Sequence, residues 1–416
     1  MKLGAIAAGL ALALAHHVAG QPLPLGGDAV PKCEKISVRR EVRTLSNDEW
    51  NTYTSAVQRA VDDGWINWFG FFHQKIERVI HGNAQFFLAH RSLMADYEAI
   101  LRGYEPSVVL PYWSSGMDFN KPTASRVLSD GFLGGNGDAA NGGCVTGGLG
   151  RDWKFSYPND HCLTRRYGEA RAINAWYPPE FITSVLQTSK TYTELRLGLE
   201  NSIHGIVHLS LGGDMNTMHS PTDSVFWLHH ANIDRLHSQW QAADPDNRNF
   251  MYDGTNRDGS PALLSDSIAY TTTPAVELMR LGYGKLCYTY DTIEEANGNA
   301  AALLSKKLDT RGNAPAGKCI PGPQKAVSAE IQTLQGLPKA HLEKYFPGLT
   351  GDANLMENDM RSLNALRPAD IGRDADFEVV TPDETMRGKM SYPMTLTDEF
   401  ITMMHLDRKA VRDLEA

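Results

Sequence analysis

Several things are missing from this 416-residue chain, and each absence removes a class of function. Its 40 lysines and arginines are outnumbered by 49 aspartates and glutamates, for a net charge of −9. A chain without a basic excess makes a poor partner for nucleic acid or anionic lipid, so neither is expected here. Past the N-terminal leader no segment approaches the 18 or so unbroken apolar residues that a membrane span needs, so no membrane is expected among its partners. No CxxC pair, no Cys/His alternation and no HExxH occurs, which argues against zinc ribbons, fingers and a zinc hydrolase. Asn-x-Ser/Thr acceptors, internal repeats and low-complexity tracts are likewise absent. Charged residues make up 21% and hydrophobic residues 42%, ordinary for a protein with a large core, and 9% aromatics argue against disorder.

Residues 1–20 have the form of a secretory signal peptide. Lys2 supplies a short positive start, residues 4–15 are small and apolar, and Val18-Ala19-Gly20 offers a cleavage site before Gln21. About a dozen apolar residues interrupted by His16 and His17 are too few for an anchor. A secreted, extracellular protein is therefore expected, and its five cysteines suggest two disulfides and one left over. Cys144 and Cys162 bracket a glycine-rich stretch and form the first choice of pair. Cys33 with Cys287 would tie the start of the domain to its end, leaving Cys319 odd.

The periodicity predicts helices over 49–62, 87–101, 192–211 and 225–241, with most of 103–162 as loop, hence an α-helical core joined by long loops. Three units follow. They are the leader (1–20), a main domain (33–295), and a linker with a C-terminal appendage (296–416) whose best helical candidate is 398–415.

Ten of the 14 histidines lie between His73 and His237, and two groups stand out. One comprises His73, His81 and His90. The other joins His204 and His208, spaced i, i+4 so that both rings share one helix face, with His230. Three imidazoles per metal, twice over, suggest a dinuclear site between facing helices. Imidazole without a regular carboxylate partner suits copper, zinc, iron or nickel better than magnesium or a carboxylate-bridged di-iron pair.

The text around these histidines resembles the type-3 copper family of tyrosinases and catechol oxidases, in its short fungal form. HGNAQFFLAHR (81–91), with Glu98 following, is similar to the first copper motif. LPYW (110–113) is similar to the PYW signature. LENSIHGIVH with GGDMNTMHSPTDSVFWLHHANIDRLHSQW is similar to the second copper motif nearly throughout. VRREVR (38–43) and YTY (288–290) resemble the motifs that open and close the fungal catalytic domain, so the likeness covers roughly 33–290. The resemblance implies a mainly α fold, a helical bundle with long loops and few short strands, holding two copper ions per chain. His73, His81 and His90 would ligate one and His204, His208 and His230 the other, with His229 structural. It also implies an oxidase that uses O2 to turn a small phenolic substrate, an o-diphenol, into an o-quinone.

Departures from the family pattern bear on the reaction. Ser114 stands after PYW where many relatives have Asp, and Asp118 is its candidate replacement. Val79 occupies the place of a thioether-forming Cys, so the position of His81 is expected to rest on packing alone. Asp234, four residues after His230, is the candidate acceptor that orients a ligand ring. Glu200 sits at the place of the family's water-holding glutamate, but Gly205 replaces the Asn that helps orient that water. Diphenol oxidation with weak or no monophenol hydroxylation is therefore expected, against the alternatives of a full tyrosinase, an o-aminophenol oxidase or a non-catalytic dioxygen carrier. Leu209, Met218 and His219 are candidates for the substrate pocket. Tyr345-Phe346-Pro347-Gly348 is the one aromatic cluster that a C-terminal lid would offer as a plug.

Overall fold

A computed structural model describes residues 30–168, 171–292 and Lys409. The leader, the plug cluster and the 398–415 helix lie outside the described residues, Lys409 apart. The fold is mainly α, with few short strands. The first helix, α1 (Asn47–Asp62), starts at a capping box in which Ser46 accepts from Glu49 N and the Glu49 carboxylate accepts from Ser46 N. A second helix, α2 (Trp65–Ile80), carries His73 and had no counterpart in the sequence reading. Its first half, residues 65–73, is buried residue by residue and reads as a nearly unbroken apolar run, and most of the polar residues fall in the second half, where Lys75, Arg78 and Val79 are exposed. Helix α3 (Phe86–Tyr104) follows and carries His90.

After a long connection come α4 (Pro179–Thr188) and α5 (Tyr192–Gly198). The expected helix over 192–211 is continuous but changes its winding. A π-helical turn at Leu199–His204 separates α5 from α6 (Gly205–Leu211), as often happens at functional sites. Helix α7 (Ser224–Ala243) begins at Asp223, whose carboxylate accepts from Val225 N and, through both oxygens, from Nε and Nη2 of the buried Arg165 guanidinium. Helices α2, α3, the α5–α6 segment and α7 pack around one aromatic-rich core. Trp68 stacks on Phe72 at 4.7 Å and Tyr97 on Trp227 at 3.7 Å.

The strands serve as fasteners. β1 (Ser37–Arg39) pairs in parallel with β4 (Tyr288–Tyr290), with Arg39 opposite Tyr290. Beside this ladder Cys33 is bonded to Cys287, closing a span of 254 residues. β2 (Lys154–Phe155) pairs antiparallel with β3 (His161–Cys162), and Cys162 is bonded to Cys144.

The closure of the domain converges on Asp234. One oxygen accepts from Arg91 Nε at 2.5 Å. The other accepts from the hydroxyls of Tyr288 and Tyr290, both at 2.7 Å, with Arg39 3.9 Å away. Arg39 in turn bonds Glu98 on α3 and lies 3.4 Å from the centroid of the Tyr288 ring. Asp234 therefore bonds no ligand ring, which corrects the sequence expectation: two guanidiniums and two phenols already converge on its carboxylate. Burial opposes its charge, but Arg91 and Arg39 outweigh that and hold the carboxyl below the usual carboxylate range. A folded-state value below the unfolded one adds stability that is full above the ordinary value of about 3.9 and is lost as pH falls through the lower value. Asp234→Ala would strand buried Arg91 and is expected to lower the unfolding free energy by about 3–5 kcal/mol. Urea denaturation of the intact chain measures this, and a loss under about 1 kcal/mol, the range of an exposed ion pair, would contradict it.

Candidate metal centre

Each histidine of the two groups is at least 96% buried. His73 comes from α2, His81 from the residue that ends α2, and His90 from α3. His204 closes the π turn, while His208 and His230 stand on α6 and α7. The donor atoms within each triad lie within 4.8 Å of one another. The triads face each other, with His90 stacked on His230 at 4.2 Å and 8°.

Ring orientation is set by backbone carbonyls, and it follows a rule. Three rings use the carbonyl one turn back on their own helix: His81 Nδ1 to Glu77 O (3.1 Å), His90 Nδ1 to Phe86 O (2.8 Å) and His204 Nδ1 to Glu200 O (3.2 Å). Two others use the loop between α6 and α7: His208 Nδ1 to Met215 O (2.6 Å) and His73 Nδ1 to Met218 O (2.7 Å). A carbonyl only accepts, so Nδ1 carries the proton in all five rings and Nε2 presents a lone pair.

Those lone pairs face one another. His73 Nε2 is 3.4 Å from His90 Nε2, and His208 Nε2 is 3.3 Å from His230 Nε2. His81 Nε2 and His204 Nε2 are buried without a hydrogen-bond partner. Protons are not available to fill the gaps, because burial pushes all six rings down, His73 and His208 to about 4. Neutral imidazoles with converging unpartnered lone pairs are what a soft or borderline metal requires, so the residues fit copper.

Two phenylalanines wall the centre, and the sequence reading named neither. Phe86 lies 4.9 Å from both His90 and His204, and Phe226 lies 4.2 Å from His230 and 5.2 Å from His73. A signal existed, since Phe86 and Phe226 stand four residues before His90 and His230 on the same helices. Gly70 matters on the opposite side. A Cβ there would meet Thr222 Cγ2 at 2.9 Å and His219 O at 3.3 Å, so glycine lets α2 approach the loop that orients its own His73.

Other named residues fall as follows. His81 is more than packed. Besides its own bond to Glu77, its neighbour Gly82 donates to Glu200 Oε1 at 2.8 Å, which ties the two triads together at this corner. The second Glu200 oxygen pairs with Arg196, and burial raises its carboxyl against the pull of that guanidinium. Asp118 does not serve a ligand ring. It accepts from Trp113 Nε1 (2.8 Å), Ser125 and Arg43, and so anchors the PYW segment, while Trp113 N donates to Leu228 O on α7. His229 packs between the α6 and α7 ligands, with Nε2 donating to His204 O at 3.2 Å. Gly205 is buried, Leu209 half-buried and Met218 6% exposed. His219, the remaining pocket candidate, is buried. It is 6% exposed and lies against His161, 5.6 Å between centroids.

Replacing one ring of either triad, by His90→Ala or His208→Ala, is expected to lower the bound metal without abolishing it, because the other triad keeps its own three rings. Metal analysis of the purified chain checks this; full wild-type content in either variant would contradict it.

Comparison with known proteins agrees with this geometry. Residues 62–243 match the family model described as the common central domain of tyrosinase. The chain is 31% identical over 294 residues to the tyrosinase ustQ of Aspergillus flavus, spanning 62% of this chain and 81% of that one. It is 28% identical to the tyrosinase of Streptomyces glaucescens, over 57% of this chain and 98% of the other. Among solved structures, a polyphenol oxidase variant from Thermothelomyces thermophila superposes with a TM-score of 0.52 at 24% identity, covering 63% of this chain and 91% of that one; this likeness bears on the fold alone.

Proposed function

The chain belongs to the tyrosinase family of type-3 copper oxidoreductases, and within it we propose a secreted enzyme that oxidises o-diphenols to o-quinones with O2 and hydroxylates monophenols weakly or not at all. We place the activity in residues 33–295, with 296–416 as an appendage or lid. Two copper ions per chain would be held by His73, His81 and His90 and by His204, His208 and His230. When bound, the metal pair supplies the two-electron exchange between phenol and dioxygen. In balance, two diphenols give up four electrons and four protons, and one O2 becomes two waters.

The chain's own residues prepare that exchange. Five Nδ1–H···O=C bonds hold the imidazoles with Nε2 inward, so little reorganisation is left for the moment of reaction. Phe86 and Phe226 keep the rings in an apolar, water-poor setting. Substrate would approach between Gly205, Leu209 and Met218. The signal-like leader and two disulfides support export, and no described helix is long and apolar enough to cross a membrane.

One observation carries the choice between diphenol and monophenol. Position 205, directly after His204, has no side chain to orient a water, and the Glu200 carboxylate is engaged by Gly82 N and Arg196. A monophenol must lose a proton of pKa about 10 before it can be hydroxylated, and nothing at Gly205 holds a base to take it. Oxygen uptake by the copper-loaded protein should therefore be rapid with 4-substituted catechols, and slow or delayed with the matched monophenols. Equal rates would overturn this reading. Gly205→Asn is expected to raise the monophenol-to-diphenol rate ratio by about 10- to 100-fold, at the low end of what a positioned base supplies. An unchanged ratio with intact copper would show that the proton is taken elsewhere.

A further inference from the structure

The loop between α6 and α7 orients one ring of each triad, through Met215 O and Met218 O. A separate group of polar side chains holds this loop. Asp214, 2% exposed, accepts from Thr164 Oγ1 at 2.6 Å and from Thr222 Oγ1 at 3.0 Å. Its Oδ2 also lies 3.2 Å from His161 Nε2. His219, five residues along the loop, completes a cluster in which one donor atom from each of His161, Asp214 and His219 lies within 4.8 Å of the others. His161 stands on β3 beside Cys162, so the Cys144–Cys162 bond and the pairing with β2 hold it against the loop.

The donor set is specific. Two imidazoles and one carboxylate are the ligands of many three-residue zinc sites and suit copper(II) or nickel. His161 Nδ1 donates to Asn159 O at 2.7 Å, which leaves Nε2 as the ligand atom, the arrangement that metal-ligating histidines use. The 3.2 Å between Nε2 and Asp214 Oδ2 is close to the separation of about 3.4 Å between two donors around a tetrahedral ion with bonds of 2.0–2.1 Å. Thr164 and Thr222 orient the carboxylate, as outer partners of metal-bound carboxylates do.

We propose that His161, Asp214 and His219 form a third metal site, separate from the two histidine triads, which takes one divalent cation of the zinc type and braces the loop that aims His73 and His208. Without the ion, His161 Nε2 and Asp214 Oδ2 lie at hydrogen-bond distance and share a proton. The cation replaces the Nε2 proton, which leaves to solvent past the partly exposed His161 ring, and no electron is transferred. The site does not depend on which phenol the enzyme oxidises.

The test uses the full, copper-loaded chain, its copper content measured first, titrated with Zn2+ by calorimetry and then gel-filtered and assayed for both metals. The expected result is one zinc per chain with the copper retained, and binding at least 10-fold weaker in His161→Ala with the same copper content. Wild-type protein that takes up no zinc overturns the proposal, as does a His161→Ala variant that binds zinc as tightly. A second reading needs no variant. Co2+ added to the anaerobic, reduced protein, whose cuprous ions are colourless, should give intense visible bands of low-symmetry nitrogen and oxygen ligation. Only the pale spectrum of aqueous cobalt would overturn the site.

Discussion

A carboxylate closed off from water stands where four segments of the chain meet. Asp234 is on α7 one turn past His230, and Arg91, which it holds, is on α3 next to His90. The same carboxylate takes the hydroxyls of Tyr288 and Tyr290 on β4, and Arg39 on β1 bridges onward to Glu98. The charge is affordable only because two guanidiniums and two phenols converge on it; any one of them missing would leave an unmatched polar group inside the core. Through this knot the two ends of the domain, 254 residues apart at Cys33–Cys287, are fastened to the two helices that carry opposed rings of the centre. The stacking of His90 on His230 is the geometric consequence.

The second constraint is the fixing of imidazole tautomers. A histidine can hold a metal only if its other nitrogen has a reason to keep the proton, and here backbone carbonyls supply that reason in five of the six rings. Three of these carbonyls belong to the ligand's own helix, so helix formation alone orients the rings. The other two come from residues 215 and 218, a loop whose shape depends on Gly70, Asp214 and Thr222. That loop serves one ring of each triad, so a displacement in it reaches both halves of the centre together. The brace we propose at His161, Asp214 and His219 acts on that shared element.

Departures from the family pattern look different once the contacts are known. The place of the thioether Cys is held by Val79, 39% exposed, and the His81 corner is secured instead by Glu77 O and by the Gly82–Glu200 bond. Asp118 does not replace the missing carboxylate after PYW, because it is taken by Trp113, Arg43 and Ser125. Glu200 acts first as a clamp between the triads, held by Gly82 N and Arg196.

The helical class, the Cys144–Cys162 pair and the six clustering histidines were legible in the sequence, because each rests on local spacing or on motifs contained in short segments; the Cys33–Cys287 pair, 254 residues apart, followed only from their places at the two ends of the domain. Helix α2 was not read, since its first half, residues 65–73, is buried residue by residue and shows no polar face of its own. Phe86 and Phe226 stand at i, i+4 spacing before their ligands, a signal the sequence reading did not use, and nothing local said that both would wall one centre. The role of Asp234 was misjudged on the assumption that four residues from a ligand means contact with its ring. Its partners lie 143, 54 and 56 residues away. The cluster of His161, Asp214 and His219 had no sequence signal either, for it exists only because a disulfide-bound hairpin lies against the α6–α7 loop. The sequence by itself determined which side chains can bind metal and how helices present them; the tertiary structure decided which carbonyls aim the rings and which carboxylates reach them. Those contacts join segments far apart in the chain, and no periodicity encodes them.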